Sequence, residues 1–433
     1  MPIPQQWLQF APKPRDLANG EKWNVFLSYR SINRNWVLNL YDVLKELDYK
    51  VFLDQYEIIG GDELIQRLQD GLTNSQSGIL IWSTAASDSV WVDKEYQTME
   101  TRATRDPRFK FVPVKLDGRP LPIFAANRVF EDFSSYPDGP NGGELLRLIY
   151  AITGEHMSKD AIDFANKQSQ LAADMINELN AARITGDAES IVQLYHSNIL
   201  PWKTTASLGC TAGENLIKLR KYNEAIELLQ SVENDFPKAI RPRQLHALAL
   251  ARRGQNDDLN QAQKILAKLY AAGERDPETL GIFARTWMDR YNKSGDIADL
   301  RQSRNYYEDG YKRAPDDNYT GINAASKSVL LDEYEKGAAI AKKILENLGT
   351  QAVPGDYWTT VTIAEALLDQ KQYTDAGNMY QQGIDIAPME YGSHESTWGQ
   401  AQLLMEKLKP TPEERALIAK PFMHLLRRAA QNA

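Results

Sequence analysis

Short apolar runs alternate with stretches of helical spacing from residue 23 to residue 154, and the alternation stops there. The runs are "WNVFLSY", "YKVFLD", "SGILIWS", "FKFVPVKLD" and a weaker "NRVFEDF". Between and after them lie "NWVLNLYDVLKEL", "DELIQRLQDGL", "WVDKEYQTMETRATR" and "GGELLRLIYAIT", whose apolar residues recur every three or four positions. Strands that are apolar almost throughout are buried on both faces, so the pattern predicts a parallel sheet covered by helices on either side.

Five such units in this length fit an α/β, flavodoxin-like doubly wound domain with a five-stranded parallel sheet. In that architecture ligands bind beyond the carboxyl ends of the strands. The loops after Tyr29, Asp54 and Ser83 then share one rim. Residues 1–22 precede this domain as an N-terminal extension.

From residue 158 to residue 433 the strand signals give way to long helical patterns. "YNEAIELLQSVENDFP" and "YTDAGNMYQQGIDIAP" superimpose, Tyr222 on Tyr373, Ala225 on Ala376, Leu229 on Tyr380 and Pro237 on Pro388. "LRQSRNYYEDGYKRAP" sets Ser303, Tyr307 and Pro315 at the same offsets, and two weaker copies centre on Ala262 and Gly337. Successive small residues are spaced around the tetratricopeptide period of about 34. A small residue lets the two helices of a unit approach closely, and the Pro ends the second helix. The region resembles a degenerate tetratricopeptide array, an all-α solenoid whose use is to bind a partner or itself; unrelated helical hairpins of similar length are the other explanation. "HESTWGQAQLLMEKL" and "PEERALIAKPFMHLLRRAAQ" leave the repeat, as a capping pair does.

Composition narrows function. A formal charge of -8 argues against a nucleic-acid-binding surface formed by the whole chain. Cys210 is the one cysteine, so no internal disulfide forms. The start lacks a secretory pattern, and no run approaches 18 apolar residues; the expectation is a cytoplasmic protein with no membrane contact. His156, His196, His246, His394 and His424 all follow the α/β segment. Residues 23–154 therefore contain no imidazole base, no thiol and no His or Cys metal ligand, and neither phosphate-cradling glycine motif occurs.

Carboxylates, aromatics and backbone amides remain. One reaction within their reach is cleavage of an N-glycosidic bond whose leaving group is already cationic. Such a group departs without needing a proton, so one carboxylate that stabilises the ribosyl cation suffices, where ordinary glycosidases need two. In "SVWVDKEYQTM" Trp91 and Glu95 stand one helical turn apart on one face. Spacing alone favours an ordinary amphipathic helix with a core Trp and a solvated Glu.

"WNVFLSYR", "YKVFLDQYEIIGGDELIQRLQDGL", "GILIWSTAASDSVWVDKEY" and "FVPVKLDG" occur in the order of the motifs of Toll/interleukin-1 receptor (TIR) domains, and residues 23–154 resemble that family. The similarity is greatest to its enzymatic branch, in which S-x-x-W-x-x-x-E holds the catalytic glutamate. Strict spacing puts Ser at residue 88, which is Asp here; Ser87 and Ser89 flank it. The resemblance implies Glu95 as the catalytic carboxylate and Trp91 as a wall of the nicotinamide–ribose pocket. Tyr29 and Arg30 correspond to substrate-side residues, and Asp54 opens a loop that gates the site and joins neighbouring TIR domains. Gly60 and Gly61 give that loop freedom to switch. On residue type alone, Arg30 fits a solvated charge and Asp54 a turn carboxylate.

The resemblance also implies NAD+ as substrate with no cofactor and no metal, cleaved to nicotinamide and linear or cyclic ADP-ribose. It implies a homo-oligomer formed through TIR domains, with an unknown protein or small-molecule trigger on the helical repeats, in a plan similar to bacterial anti-phage effectors that deplete NAD. A non-catalytic TIR scaffold is the alternative, though adaptor-type domains usually lack a Glu at this position. A nucleoside or nucleotide glycosyltransferase is a second alternative. The helical region is also similar to the regulatory segment of stress-activated kinase kinase kinases, with no contact residue to transfer.

Overall fold

The computed structural model describes residues 4–30, 33–53, 64–84, 90–121, 129–136, 139–197, 200–315 and 317–425; the side chains of 64–65 and 90–95 lie outside this description. The chain forms two compact units, Met1–Asp258 and Leu259–Ala433.

The first unit opens on a helical turn, Gln5–Leu8, and continues into the sheet. Its strands are β1 (Trp23–Ser28), β2 (Val51–Phe52), β3 (Ser75–Trp82), β4 (Lys110–Lys115) and β5 (Glu131–Asp132), with helices α1 (Arg34–Glu46), α2 (Leu64–Thr73), α3 (Val90–Arg105) and α4 (Gly142–Thr153). All pairings are parallel, in the order β2-β1-β3-β4-β5. That is the flavodoxin-like order expected from the alternation, and its direction reverses between β1 and β3.

Alternation along the strands sorts the core into two layers. Phe26, Leu80, Trp82 and Phe111 meet Leu72 of α2 and Tyr96 and Met99 of α3. Val25, Leu27, Ile79, Ile81, Val112 and Val114 belong to the opposite face and are equally buried. A Cβ on Gly78 of β3 would stand 2.5 Å from the Met99 sulfur, so α3 lies directly against the central strand there.

Residues 10–16 strap the amino ends of the strands. Tyr49 donates to the Pro12 carbonyl at 2.9 Å and Tyr150 to that of Phe10 at 2.8 Å. Asn24 and Gln76 donate to the carbonyls of Arg15 and Asp16. Trp7 is buried edge-on to Phe164, and Phe10 stacks on Phe164 at 4.5 Å. Phe164 belongs to the long helix Lys159–Thr185, so the extension joins the sheet to the first helical segment.

Helices then follow in pairs. Ser207–Lys218 and Tyr222–Asp235 form one hairpin of the first unit. In the second unit Pro277–Ser294 pairs with Ile297–Arg313, Asn318–Leu330 with Tyr334–Leu348, and Tyr357–Asp369 with Tyr373–Ile386. The small residues expected at the close approaches occupy them. Ala225, Ala262, Ser303 and Ala376 are fully buried, and a Cβ on Gly337 would meet Val329 at 2.7 Å and the Ala325 carbonyl at 2.9 Å. Three first helices share a cap: Asp276, Asp317 and Asp356 each accept from the backbone N–H of the Thr three residues on and from its hydroxyl. Helices Tyr391–Leu408 and Pro412–Ala419 close the array, the second opening on a Thr411–Glu414 capping box.

Candidate active site

The reversal of strand order between β1 and β3 opens a crevice at their carboxyl ends, because the connections leave for opposite faces of the sheet. β1 ends in Ser28, so Tyr29 and Arg30 emerge on one lip, both half-buried. β3 ends in Trp82, and α3 begins at Val90 on the other lip. Trp91 and Glu95 therefore lie in the first two turns of α3, the part of the helix nearest that end of β3. Positions 91, 95 and 99 follow one another at intervals of one turn, and Met99 is seated on the sheet. The Trp91 and Glu95 side chains lie outside the described ones. Asp54, Gly60, Gly61, Ser87 and Ser89 lie outside the described residues altogether.

Four side chains without an assigned role in the sequence build the rim. Ser83, buried, donates to the Asn33 carboxamide oxygen at 3.0 Å. Asn33 is the N-cap of α1 but makes no side-chain bond to its own helix, and its oxygen is used across the crevice instead. Asp117, just after β4, accepts from the Thr84 backbone N–H at 2.6 Å and from that of Arg119 at 2.9 Å. Burial pushes its carboxyl up, but the N–H donors from Thr84 and Arg119 outweigh burial and hold it below the ordinary carboxylate range. Trp82 donates its indole N–H to the Pro120 carbonyl at 2.9 Å. The segment leading into α3 is thus tied at its start to the loops after β1 and β4. The signal was present in "FVPVKLDG", where an Asp next to Gly ends a strand.

A cavity of about 360 Å³ lies elsewhere in the first unit. Asn39, Asp42, Val43 and Glu46 line it from the second half of α1, and Thr204–Ala206 and Phe236–Ala239 from the helical segment. It takes no part in the crevice. Among the described residues no group of three or more His, Cys, Asp and Glu converges, and no helix is long and apolar enough to cross a membrane.

Residues 25–147 match the TIR domain family model. Residues 221–331 match the family Tetratricopeptide Repeats-Sensor. The chain joins a TIR domain to tetratricopeptide sensor repeats. Curated relatives of Brucella melitensis and Brucella abortus, each named "Probable 2' cyclic ADP-D-ribose synthase TcpB", are 32% identical over 76 residues. The match takes in 17% of this chain and 30% of those proteins, so the chain spans under a third of their length. Among solved structures, a thermophilic TPR protein of Thermus thermophilus is 17% identical with a TM-score of 0.37, covering 44% of this chain and 96% of that one. The TIR domain of a Toll-related receptor from Hydra magnipapillata is 20% identical with a TM-score of 0.24, covering 26% of this chain and 86% of that domain.

Proposed function

We propose that this chain cleaves the N-glycosidic bond of NAD+ between nicotinamide and ribose, with Glu95 as the catalytic carboxylate. The observation that carries the proposal is the position of Trp91 and Glu95 in the opening turns of α3, beside the reversal point of a TIR sheet. In the reaction the bond from ribose C1′ to the pyridine nitrogen breaks and its electron pair leaves with neutral nicotinamide. The cation at C1′ is stabilised by the Glu95 carboxylate until an oxygen attacks and loses its proton. Water gives ADP-ribose; a hydroxyl of the other ribose gives a cyclic ADP-ribose. The name of the Brucella relatives supports the cyclic outcome. Trp91, Tyr29 and Arg30 serve as substrate-side groups, and Asp54, Gly60 and Gly61 belong to the gating loop. NAD+ is the substrate and no cofactor takes part.

In the same proposal the TIR domain covers residues 23–154 and the helical repeats 158–433. The repeats receive the trigger, a reading supported by the match to a sensor family. TIR self-association in the cytoplasm then switches on cleavage, and NAD depletion serves antiviral defence. The strap holds the amino ends of the strands and leaves the carboxyl rim to substrate and to a neighbouring TIR domain.

The test is nicotinamide release from NAD+ by the full chain over a range of protein concentrations, with chromatographic identification of the second product. Glu95→Gln and Glu95→Ala are expected to lose about 10²-fold or more while melting at the wild-type temperature. Equal release from wild type and both variants removes the enzyme and leaves a scaffold. Full turnover by a dilute monomer removes the assembly switch alone.

A further inference from the structure

The cavity beside α1 is walled from two parts of the first unit. Asn39, Asp42, Val43 and Glu46 stand at i, i+3, i+4 and i+7 of α1, so one face of that helix forms one wall. Thr204–Ala206 and the turn Phe236–Ala239 form the other. The α1 wall lies within the residues that match the TIR family and the turn within those that match the sensor family, so an occupant touches both at once. A volume of about 360 Å³ is that of a site for a small organic molecule.

The lining has a direction. Val43, Ala206 and Ala239 are buried and make the inner end apolar, and Phe236, half-buried, adds an aromatic ring. Leu8, Glu46, Pro237 and Lys238 are exposed and mark the mouth.

The polar side chains of the lining are mainly acceptors. Thr204 gives its hydroxyl hydrogen to the Leu200 carbonyl at 3.1 Å and Thr205 to that of Pro140 at 2.9 Å, while Asn39 donates to the Asn35 carbonyl at 3.2 Å. A hydroxyl has a single hydrogen, so both threonine oxygens can only accept from an occupant, and a carboxylate only accepts in any case. Asp42 and Glu46, one turn apart, put two negative charges on the α1 wall. Lys238 is the one cation among the described lining residues, and it stands in solvent. An anion would be repelled by the two carboxylates, and a neutral apolar molecule would bring them no donor. A molecule with an ammonium group on an apolar or aromatic body suits both parts of the lining. Its body covers Val43, Ala206 and Phe236, and its N–H donors face Asp42 and Glu46.

We propose that this cavity binds a small organic cation with an apolar or aromatic body, and that the bound cation links the TIR domain to the sensor repeats. The same helix carries the effect to the rim, since its N-cap Asn33 accepts from Ser83 across the crevice at 3.0 Å. The effect on the rim rests on NAD+ cleavage as proposed above; the binding site does not.

The test is calorimetric titration of the full chain with tryptamine, an aromatic amine, and with tryptophol and indole-3-propionate, which keep the ring but carry a hydroxyl or a carboxylate in place of the ammonium. Tryptamine is expected to bind at one equivalent and the other two at least about tenfold more weakly, the margin of a hydrogen bond to a charged group. Tryptamine is also expected to slow amide exchange at residues 39–46, 204–206 and 236–239 and to change the rate of nicotinamide release. Asp42→Asn combined with Glu46→Gln is expected to weaken tryptamine binding at least about tenfold and to leave release without tryptamine unchanged. The ranking of the three molecules on the wild-type protein decides the matter even if that variant folds poorly. Absence of tryptamine binding, equal binding of all three, or protection confined to other residues overturns the site, as does undiminished affinity in the folded variant. Binding that leaves nicotinamide release unaltered overturns the link to the rim. A chain that binds tryptamine as expected yet releases no nicotinamide under any condition removes NAD+ cleavage and leaves the site in place.

Discussion

Asp117 sets where the polypeptide goes after β3. Its carboxylate takes two backbone N–H groups, one of them Thr84 at the start of the segment that runs to α3. Both bonds are exposed, so removing the carboxylate hands those donors to water at a cost of about 0.5–1.5 kcal/mol, and frees the approach to the helix that carries Glu95. Asp117→Ala is expected to lower both melting temperature and nicotinamide release, with Asp117→Asn intermediate because one oxygen remains to accept. Since the folded carboxyl sits below its ordinary range, this contribution is present at neutral pH and is lost as pH falls through the depressed value. Glu131 in β5 has the opposite sign. Burial, assisted by Glu144 and opposed by Arg147, pushes its carboxyl from 4.5 up to about 7. The folded protein therefore holds a proton that the unfolded chain has released, and stability falls as pH rises from 4.5 to 7. Glu131→Gln is expected to flatten that slope, gaining on the order of 1 kcal/mol at pH 8 after allowance for solvent screening and nothing at pH 4. A melting curve at each pH checks this, and parallel profiles for wild type and variant contradict it.

At the level of elements, α3 is held to the sheet by a glycine facing a sulfur. A methyl on Gly78 would stand 2.5 Å from the Met99 sulfur and 3.1 Å from Phe109 Cζ, so the fully buried Met99 side chain has to repack. Gly78→Ala is expected to cost about 1–3 kcal/mol, and less in a Met99→Ala background, because the obstructing atom is gone. Urea unfolding of the four proteins measures the coupling; purely additive costs contradict close packing at this point. Gly337 gives its hairpin less room, since the nearby Ala325 carbonyl is backbone and cannot rotate away. The sequence shows why most elements were legible: β1, β3 and β4 are buried on both faces, and each carries a run, Val25–Leu27, Ile79–Trp82 and Phe111–Val114, that is apolar without interruption. β5 shrank from "NRVFEDF" to Glu131–Asp132 because only two residues pair with β4, and both are charged. Ala262 and Gly337 marked their hairpins where the flanking residues did not, because close approach tolerates little else. The Asp-x-x-Thr caps recur in the sequence but need the helix starts to be recognised.

Across the first unit, the extension before β1 turns out to be structural. "MPIPQQWLQFAPKPRD" carries four prolines and one helical turn, so its sequence resembles a loop and does not show that Trp7 and Phe10 close around Phe164. A second tie lies at the start of α4, where Asn141 caps the helix and donates to the Pro201 carbonyl and to Ser207, while Thr205 donates to the Pro140 carbonyl. Both ties join the sheet to the helices that follow, and neither touches the Asn33–Ser83 bond at the rim. Trp7→Ala empties a fully enclosed position and is expected to cost about 3–5 kcal/mol. The damage should stay where the ring was. Amide exchange is expected to quicken in residues 159–170 and around Tyr49 and Tyr150, whose hydroxyls hold the strap, while the amides at Asn33 and Ser83 keep wild-type protection. If the rim loosens as much as the helix, the strap supports the whole sheet rather than its amino end, and the separation between the anchored end and the reactive end of this TIR domain does not hold.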